Sequence, residues 1–119
     1  MLTAKTGTVA LFLLIGLLTL RCSDQDIPDD TPSCVSQQIR EFSRNGACDT
    51  GARVTQYTFQ RRTIYVFDPG FTCGADMTSA VVDRDCNVLC SLGGIVGNIT
   101  CNGDTLATGV TNERIIWRN

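Results

Sequence analysis

Arg53-Val54-Thr55-Gln56-Tyr57-Thr58-Phe59-Gln60-Arg61-Arg62-Thr63-Ile64-Tyr65-Val66-Phe67 is the stretch from which the fold is read. Two runs rich in valine, threonine, tyrosine, phenylalanine and isoleucine flank the polar Gln60-Arg61-Arg62. β-Branched and aromatic residues suit a pleated, half-buried surface. The spacing therefore predicts a hairpin from Arg53 to Phe59 and Thr63 to Phe67. Asp68-Pro69-Gly70 ends the second strand. The register stays open, because a one-residue slip decides whether Tyr57 or Tyr65 faces the interior.

Upstream of the hairpin the apolar period lengthens to that of a helix. Val35, Ile39 and Phe42 recur at i, i+4 and i+7, with Arg40, Glu41 and Arg44 facing outward. Thr31 is placed to cap, Pro32 to occupy the first helical position and Asn45-Gly46 to stop the helix. Downstream, Ser79 to Asp83 and Asn87 to Cys90 predict a second hairpin around Arg84-Asp85-Cys86, its Ala80, Val81, Val82, Val88 and Leu89 marking a half-buried pair. Gly93, Gly94 and Gly97 predict that Ser91 to Asn98 is a loop. Arg114 to Trp117 is expected to return to the sheet and bury Trp117. The fold class is α+β: one N-terminal helix packed on an antiparallel sheet of four or five strands, stapled by disulfides.

The chain has 119 residues, seven cysteines and no histidine. Cys22 stands alone, whereas Cys34, Cys48, Cys73, Cys86, Cys90 and Cys101 lie in the body. Six cysteines in a domain this small fit three disulfides, each worth about 2 to 4 kcal/mol, where a small core alone supplies little net stability. Zinc is disfavoured as the alternative, since there is neither histidine nor a Cys-x-x-Cys pair. No metal or cofactor site is expected.

Residues 1–22 carry targeting information. Lys5 precedes the apolar run Val9 to Leu20, which is shorter than the roughly 20 residues a helix needs to span the hydrocarbon core. Leu18-Thr19-Leu20-Arg21-Cys22 resembles the box at which bacterial lipoprotein signal peptides end, with Cys22 as the residue that takes the diacylglyceryl group and palmitate. Arg21 departs from it, because a small residue normally precedes the lipidated cysteine. Residues 23–33, acidic and almost free of apolar side chains, are expected to be a flexible tether that buries nothing. Residues 34–119 then form a single disulfide-rich domain.

Without Lys5 and Arg21, the ten basic residues fall to eight against twelve acidic ones, four of which lie in the tether. The body is near neutral, and its only adjacent basic pair, Arg61-Arg62, falls in a predicted turn. Nucleic acid is not an expected partner.

The order and spacing of Tyr57-x-Phe59, Thr63-Ile64-Tyr65, Asp83-x-x-x-Asn87-x-x-Cys90, Gly93-Gly94-Ile95-x-Gly97, Cys101 and Ile115-Ile116-Trp117 resemble an uncharacterised family of small bacterial lipoproteins built on a domain of unknown function. The likeness covers Cys34 to Arg118. It implies a lipid anchor and the same fold, and supplies no catalytic residue. The chain departs from that pattern at Cys73-Gly74, where two adjacent cysteines are expected.

Geometry limits how the cysteines pair. A helix of about ten residues, roughly 15 Å long, separates Cys34 from Cys48, beyond the roughly 7 Å within which bridged Cα atoms lie. Cys86 and Cys90 are too far apart on an extended segment to join each other. Cys73 with Cys90 or Cys101, and Cys86 with Cys48, are the preferred pairings.

The chemistry-bearing clusters are weak. Asp83-x-Asp85-x-Asn87 imitates the start of a calcium loop, but Val88 and Gly94 stand where glycine and glutamate are required. The glycines from Gly93 to Gly97 could offer N–H groups to an anion, yet no helix follows them. Asn98-Ile99-Thr100 is a glycosylation sequon only in a eukaryotic secretory route. Asp68, Asp76, Asp83 and Asp85 could supply an acid/base pair, although nothing in their spacing unites two of them. With no histidine and paired thiols, a non-catalytic role is expected. The reading is a lipoprotein of the cell envelope, at the outer membrane or cell surface, binding an unknown protein or glycan through loops 69–78 and 91–104. It would be secreted if Cys22 is not lipidated. A disulfide-rich proteinase inhibitor and a small carboxylate hydrolase are the alternatives. The oligomeric state is not legible.

Overall fold

The computed structural model describes residues 27–74 and 76–119. The expected signal segment, the lipidation candidate Cys22 and the expected tether as far as Asp26 lie outside the described residues. Helix α1 (Ser33–Asn45) crosses one face of an antiparallel sheet. The strands are β1 (Arg53–Phe59), β2 (Arg62–Asp68), β3 (Thr78–Val82), β4 (Val88–Gly93) and β7 (Thr111–Arg118), in the order β4-β3-β2-β1-β7. A small hairpin, β5 (Thr100–Cys101) with β6 (Asp104–Thr105), and the single-turn helix α2 (Leu106–Gly109) lie between β4 and β7.

The central hairpin forms where the sequence places it, with a tighter turn. Phe59 pairs with Arg62, so only Gln60 and Arg61 connect the strands, at φ of 50° and 63°. Two positive-φ residues give the turn whose twist matches the right-handed twist of its strands. The register pairs Tyr57 with Ile64 and Gln56 with Tyr65. Tyr65 thus joins the helix-side core, while Tyr57 packs half-buried on the other face.

Helix α1 buries Val35 and Ile39, and Phe42 stands edge-on to Phe67 at 5.4 Å and Trp117 at 5.7 Å. Its cap differs from expectation. Pro32 keeps an extended ψ of 141° and is itself the N-cap, so the helix starts at Ser33. Thr31 is one position too far upstream to cap, and its buried Oγ1 has no partner. The preceding segment is also not loose. Ile27, a large apolar side chain in an otherwise polar stretch, packs against the helix-side core, and Asp30 forms a two-pronged pair with Arg114 at 2.9 and 3.2 Å. From Ile27 onward the expected free tether is therefore part of the fold.

Both faces of the sheet are covered. On the helix side Val54, Tyr65, Phe67, Val82 and Trp117 meet Val35 and Ile39. On the other side Phe59, Ile64 and Val81 meet Cys101 and Leu106, which arrive from the segment between β4 and β7. Gly109 lets α2 lie close to the sheet, since a Cβ there would stand 2.8 Å from the Phe59 ring. β4 also outruns its predicted end: Leu92 pairs with Ser79 and Gly93 with Thr78, so Ser91 to Gly93 are strand and the loop is shorter than expected. The closing strand buries Trp117 beside Val54, as expected, with irregularities in its pairing to β1.

Three disulfides join Cys34 to Cys86, Cys48 to Cys73 and Cys90 to Cys101, with Cα separations of 6.1, 5.5 and 5.3 Å. Cys34 and Cys48 do not pair with each other, nor do Cys86 and Cys90, as the spacing required. The preferred partners were wrong. The N-terminal end of α1 lies at the β3–β4 turn, so Cys34 takes Cys86, and Cys48, past the far end of the helix, takes Cys73 in the loop after β2. Cys90 packs on the other face of the sheet, where Cys101 crosses it.

Candidate functional site

The antiparallel pairing divides the loops between two ends of the sheet. At one end lie the Gln60–Arg61 turn, the turn from Asp83 to Asn87 and the start of α1. At the other lie the end of α1, the loop 69–77 and the turn from Gly94 to Gly97, joined where the Gly94 N–H donates to the Met77 carbonyl at 3.2 Å.

At the first end, Asp83 builds its turn. Its Oδ1 accepts from the N–H groups of Asp85 and Asn87, each at 2.9 Å, and its Oδ2 accepts from the Asn87 carboxamide at 3.1 Å. The Asn87 side chain and then its N–H hold the Asp83 carboxyl below the usual carboxylate range. Asp68, at the second end, accepts from the Gly70 N–H at 2.9 Å and pairs with Arg53 at 3.6 Å. Gly70 itself is needed there: its φ is +84°, and a Cβ would stand 2.7 Å from the Thr50 carbonyl oxygen. Thus Asp83 and Asp68 each serve their own turn. Asp85 and Asp76 are exposed at opposite ends.

Several other polar groups of the described residues have partners of their own. The six cysteines of the body are in disulfides. Burial pushes the Tyr65 phenol up, and burial followed by the Glu113 carboxylate pushes Tyr57 up. Tyr57 donates to Glu113 at 3.2 Å. The sequon asparagine is likewise occupied: Asn98 Nδ2 donates to the carbonyls of Ser91 and Thr100, at 2.8 and 2.9 Å, and Oδ1 accepts from the N–H and hydroxyl of Thr100. In the glycine-rich turn, the N–H of Gly93 is used by Asn98, that of Gly94 by Met77 and that of Gly97 by Gly94. The turn is closed by these bonds, which occupy the N–H groups of all three glycines.

What the second end does expose is apolar surface. Ile95 is 89% and Val96 94% exposed at the centre of the closed turn, and Phe71 is 81% exposed in the neighbouring loop. Cys48–Cys73 fastens one loop and Cys90–Cys101 the other. Beside them runs a groove of about 560 Å³ between α1 and strands β2 and β3, floored by Phe42, Phe67, Met77 and Ala80. Loops 69–78 and 91–104 were singled out in the sequence; the structure brings the first and the Gly94–Gly97 turn of the second to one end, whereas Asn102, in the turn between β5 and β6, lies at the opposite end, bonded to Gln60. The groove left no sequence signal, because it joins a helix flank to a sheet edge across unrelated positions. Among the described residues no cluster of three or more histidine, cysteine or acidic side chains could hold a metal ion.

These features describe a small disulfide-stapled α+β domain whose bridged loops expose apolar side chains. Residues 40–119 match the family profile of a domain of unknown function, DUF6970, and the chain belongs to that family. Comparison with curated proteins and with solved structures finds no match. The match covers β1 to β7, while the first turns of α1 and Cys34 lie before it. Three disulfides point to an oxidising setting, extracytoplasmic or secreted.

Proposed function

We propose that the protein is a lipid-anchored envelope module that binds a macromolecular partner and catalyses no reaction. The observation that carries the binding part is the pair of disulfide-fastened loops with exposed Phe71, Ile95 and Val96 at one end of the sheet. Large apolar side chains are normally withheld from solvent when grouped. Carrying them on disulfide-fastened loops lowers the ordering entropy lost on binding. The own-turn bonds of Asp68 and Asp83 favour this reading over a carboxylate hydrolase. The closed Gly94–Gly97 turn favours it over an inhibitor that offers an extended, substrate-like loop. The anchor rests on the sequence around Cys22.

Two measurements test the proposal. Cys22→Ser is expected to move the protein from the membrane to the soluble extracytoplasmic fraction; protein that stays with the membrane removes the lipid anchor. A photo-crosslinking residue at Ile95, in the oxidised protein in its own envelope, is expected to trap a discrete adduct. Retaining that adduct after Phe71→Ser and Val96→Ser together would remove this end as the binding surface.

A further inference from the structure

Resting on the reading of a binding module, we propose that the groove between α1, β2 and β3 holds a peptide segment of the partner in which an apolar side chain is flanked by lysine or arginine. The groove's polar lining is one-sided. Glu41 on the helix and Asp76 in the loop before β3 supply two carboxylates, and among the described residues lining it there is no cation. Gln38, on the helix one turn before Glu41 and Phe42, lines the same wall, and its Oε1 is buried without a hydrogen-bond partner. The floor of Phe42, Phe67 and Met77 asks for an aliphatic or aromatic side chain, and the two rim carboxylates ask for positive charge on either side of it. The Cys48–Cys73 bridge ties the connection after α1 to the loop that carries Asp76.

Phe42 gives the site a reporter. It floors the groove and stands edge-on to Trp117, the single tryptophan, at 5.7 Å. The probe is a blocked heptapeptide with a central Lys-Leu-Lys, titrated into the oxidised protein carrying Cys22→Ser. Tryptophan emission and amide chemical shifts are followed. Shifts are expected at Gln38, Phe42, Met77 and Thr78, with a change in Trp117 emission. Exposed ion pairs set the scale of the effect: Glu41→Gln and Asp76→Asn should each weaken binding about two- to fivefold, and together by roughly tenfold or more. Asp85→Asn, at the opposite end, should change nothing. Replacing Lys-Leu-Lys by Glu-Leu-Glu or Lys-Ser-Lys should abolish measurable binding.

Equal binding of the basic and acidic peptides overturns the proposal, as does the absence of groove shifts with Lys-Leu-Lys at millimolar concentration. Shifts confined to Ile95 to Ile99 remove the groove but leave the binding-module reading. Groove binding without an Ile95 adduct does the reverse. Concentration-dependent self-association that occludes Phe42 would give the groove to a second copy and also overturn the proposal.

Discussion

The two faces of the sheet are sealed by different means. On one, a regular helix lays Val35, Ile39 and Phe42 across the strands, fastened at both ends by Cys34–Cys86 and Cys48–Cys73. On the other, a run of short turns brings Cys101 and Leu106 over Phe59, Ile64 and Val81, fastened by Cys90–Cys101. The helix satisfies its own backbone, so its bridges lock an element that already has local order. The crossover has two residues in each strand of its hairpin and one helical turn, so its position depends on side-chain burial and one bridge. The same sheet thus carries one lid held by periodicity and another held by cross-links and close fit.

The largest test of that contrast is reduction. In the chain-entropy description the bridges, with sequence separations of 52, 25 and 11, contribute about 4, 3.5 and 3 kcal/mol. Their sum is comparable to the whole net stability of a small domain. Full reduction is therefore expected to abolish the cooperative thermal transition seen by circular dichroism. Replacing Cys34 and Cys86 by serine should lower the midpoint more than replacing Cys90 and Cys101. The opposite order would mean that the crossover bridge does more than close a loop.

Next in size are paired truncations. Ile39→Ala and Leu106→Ala each remove a buried aliphatic side chain and should each cost about 2 to 5 kcal/mol in urea unfolding. A Leu106→Ala cost below about 1 kcal/mol would show that the crossover lid is loosely held, since surface substitutions fall within about 0.5 kcal/mol.

Gly109→Ala probes the fit of that lid directly. The added methyl would press on the buried Phe59 ring, and overpacking of this kind costs about 1 to 3 kcal/mol. An unchanged denaturation midpoint would show that α2 can lift without loss.

The smallest effect lies on the helix side, at the pair between Asp30 and Arg114. The hydrogen bond from Arg114 holds the Asp30 carboxyl below its ordinary value, so its contribution is present above the normal carboxylate range and is lost as pH falls through the depressed value. Both partners are exposed, so the gap in urea midpoint between the protein and Asp30→Asn should be slight at pH 7. That gap should close both in acid and in high salt. A gap that persists at pH 2 would assign the effect to something other than this pair.

The helix-side lid was legible in the sequence because Val35, Ile39 and Phe42 repeat with a helix's period. The crossover lid was not, because residues 98–110 have no period to detect. Its existence nonetheless had a signal. Ile64 to Phe67 is an unbroken apolar run, and a strand apolar on both faces must be covered on both. The helix-on-sheet reading, with its register open, covered one of the alternating pairs Ile64/Val66 and Tyr65/Phe67 and left the other without a cover. The disulfide partners were illegible for a related reason, since they depend on which end of the helix crosses which turn. At the candidate site, Gly93, Gly94 and Gly97 marked the turn, but the exposure of Ile95 and Val96 required knowing that their neighbours close it. Gln38 and Asp76 became related only when helix and loop met.

Docking of Ile27 onto the helix-side core also sets a length scale. With Cys22 as the point of lipid attachment, only residues 23–26 separate the lipid from the folded body, and at roughly 3.3 to 3.6 Å per residue they span no more than about 18 Å even fully drawn out. Under the proposed anchor, a leash of that reach would confine the domain to a thin shell over the bilayer, where it would sample neighbours by lateral diffusion rather than by sweeping outward. A partner of the proposed module would then have to present the recognised segment close to the same surface. Lengthening the leash with a Gly-Ser insertion after Asp24 should extend the range of crosslinkable neighbours, whereas an unchanged range would place the limit elsewhere.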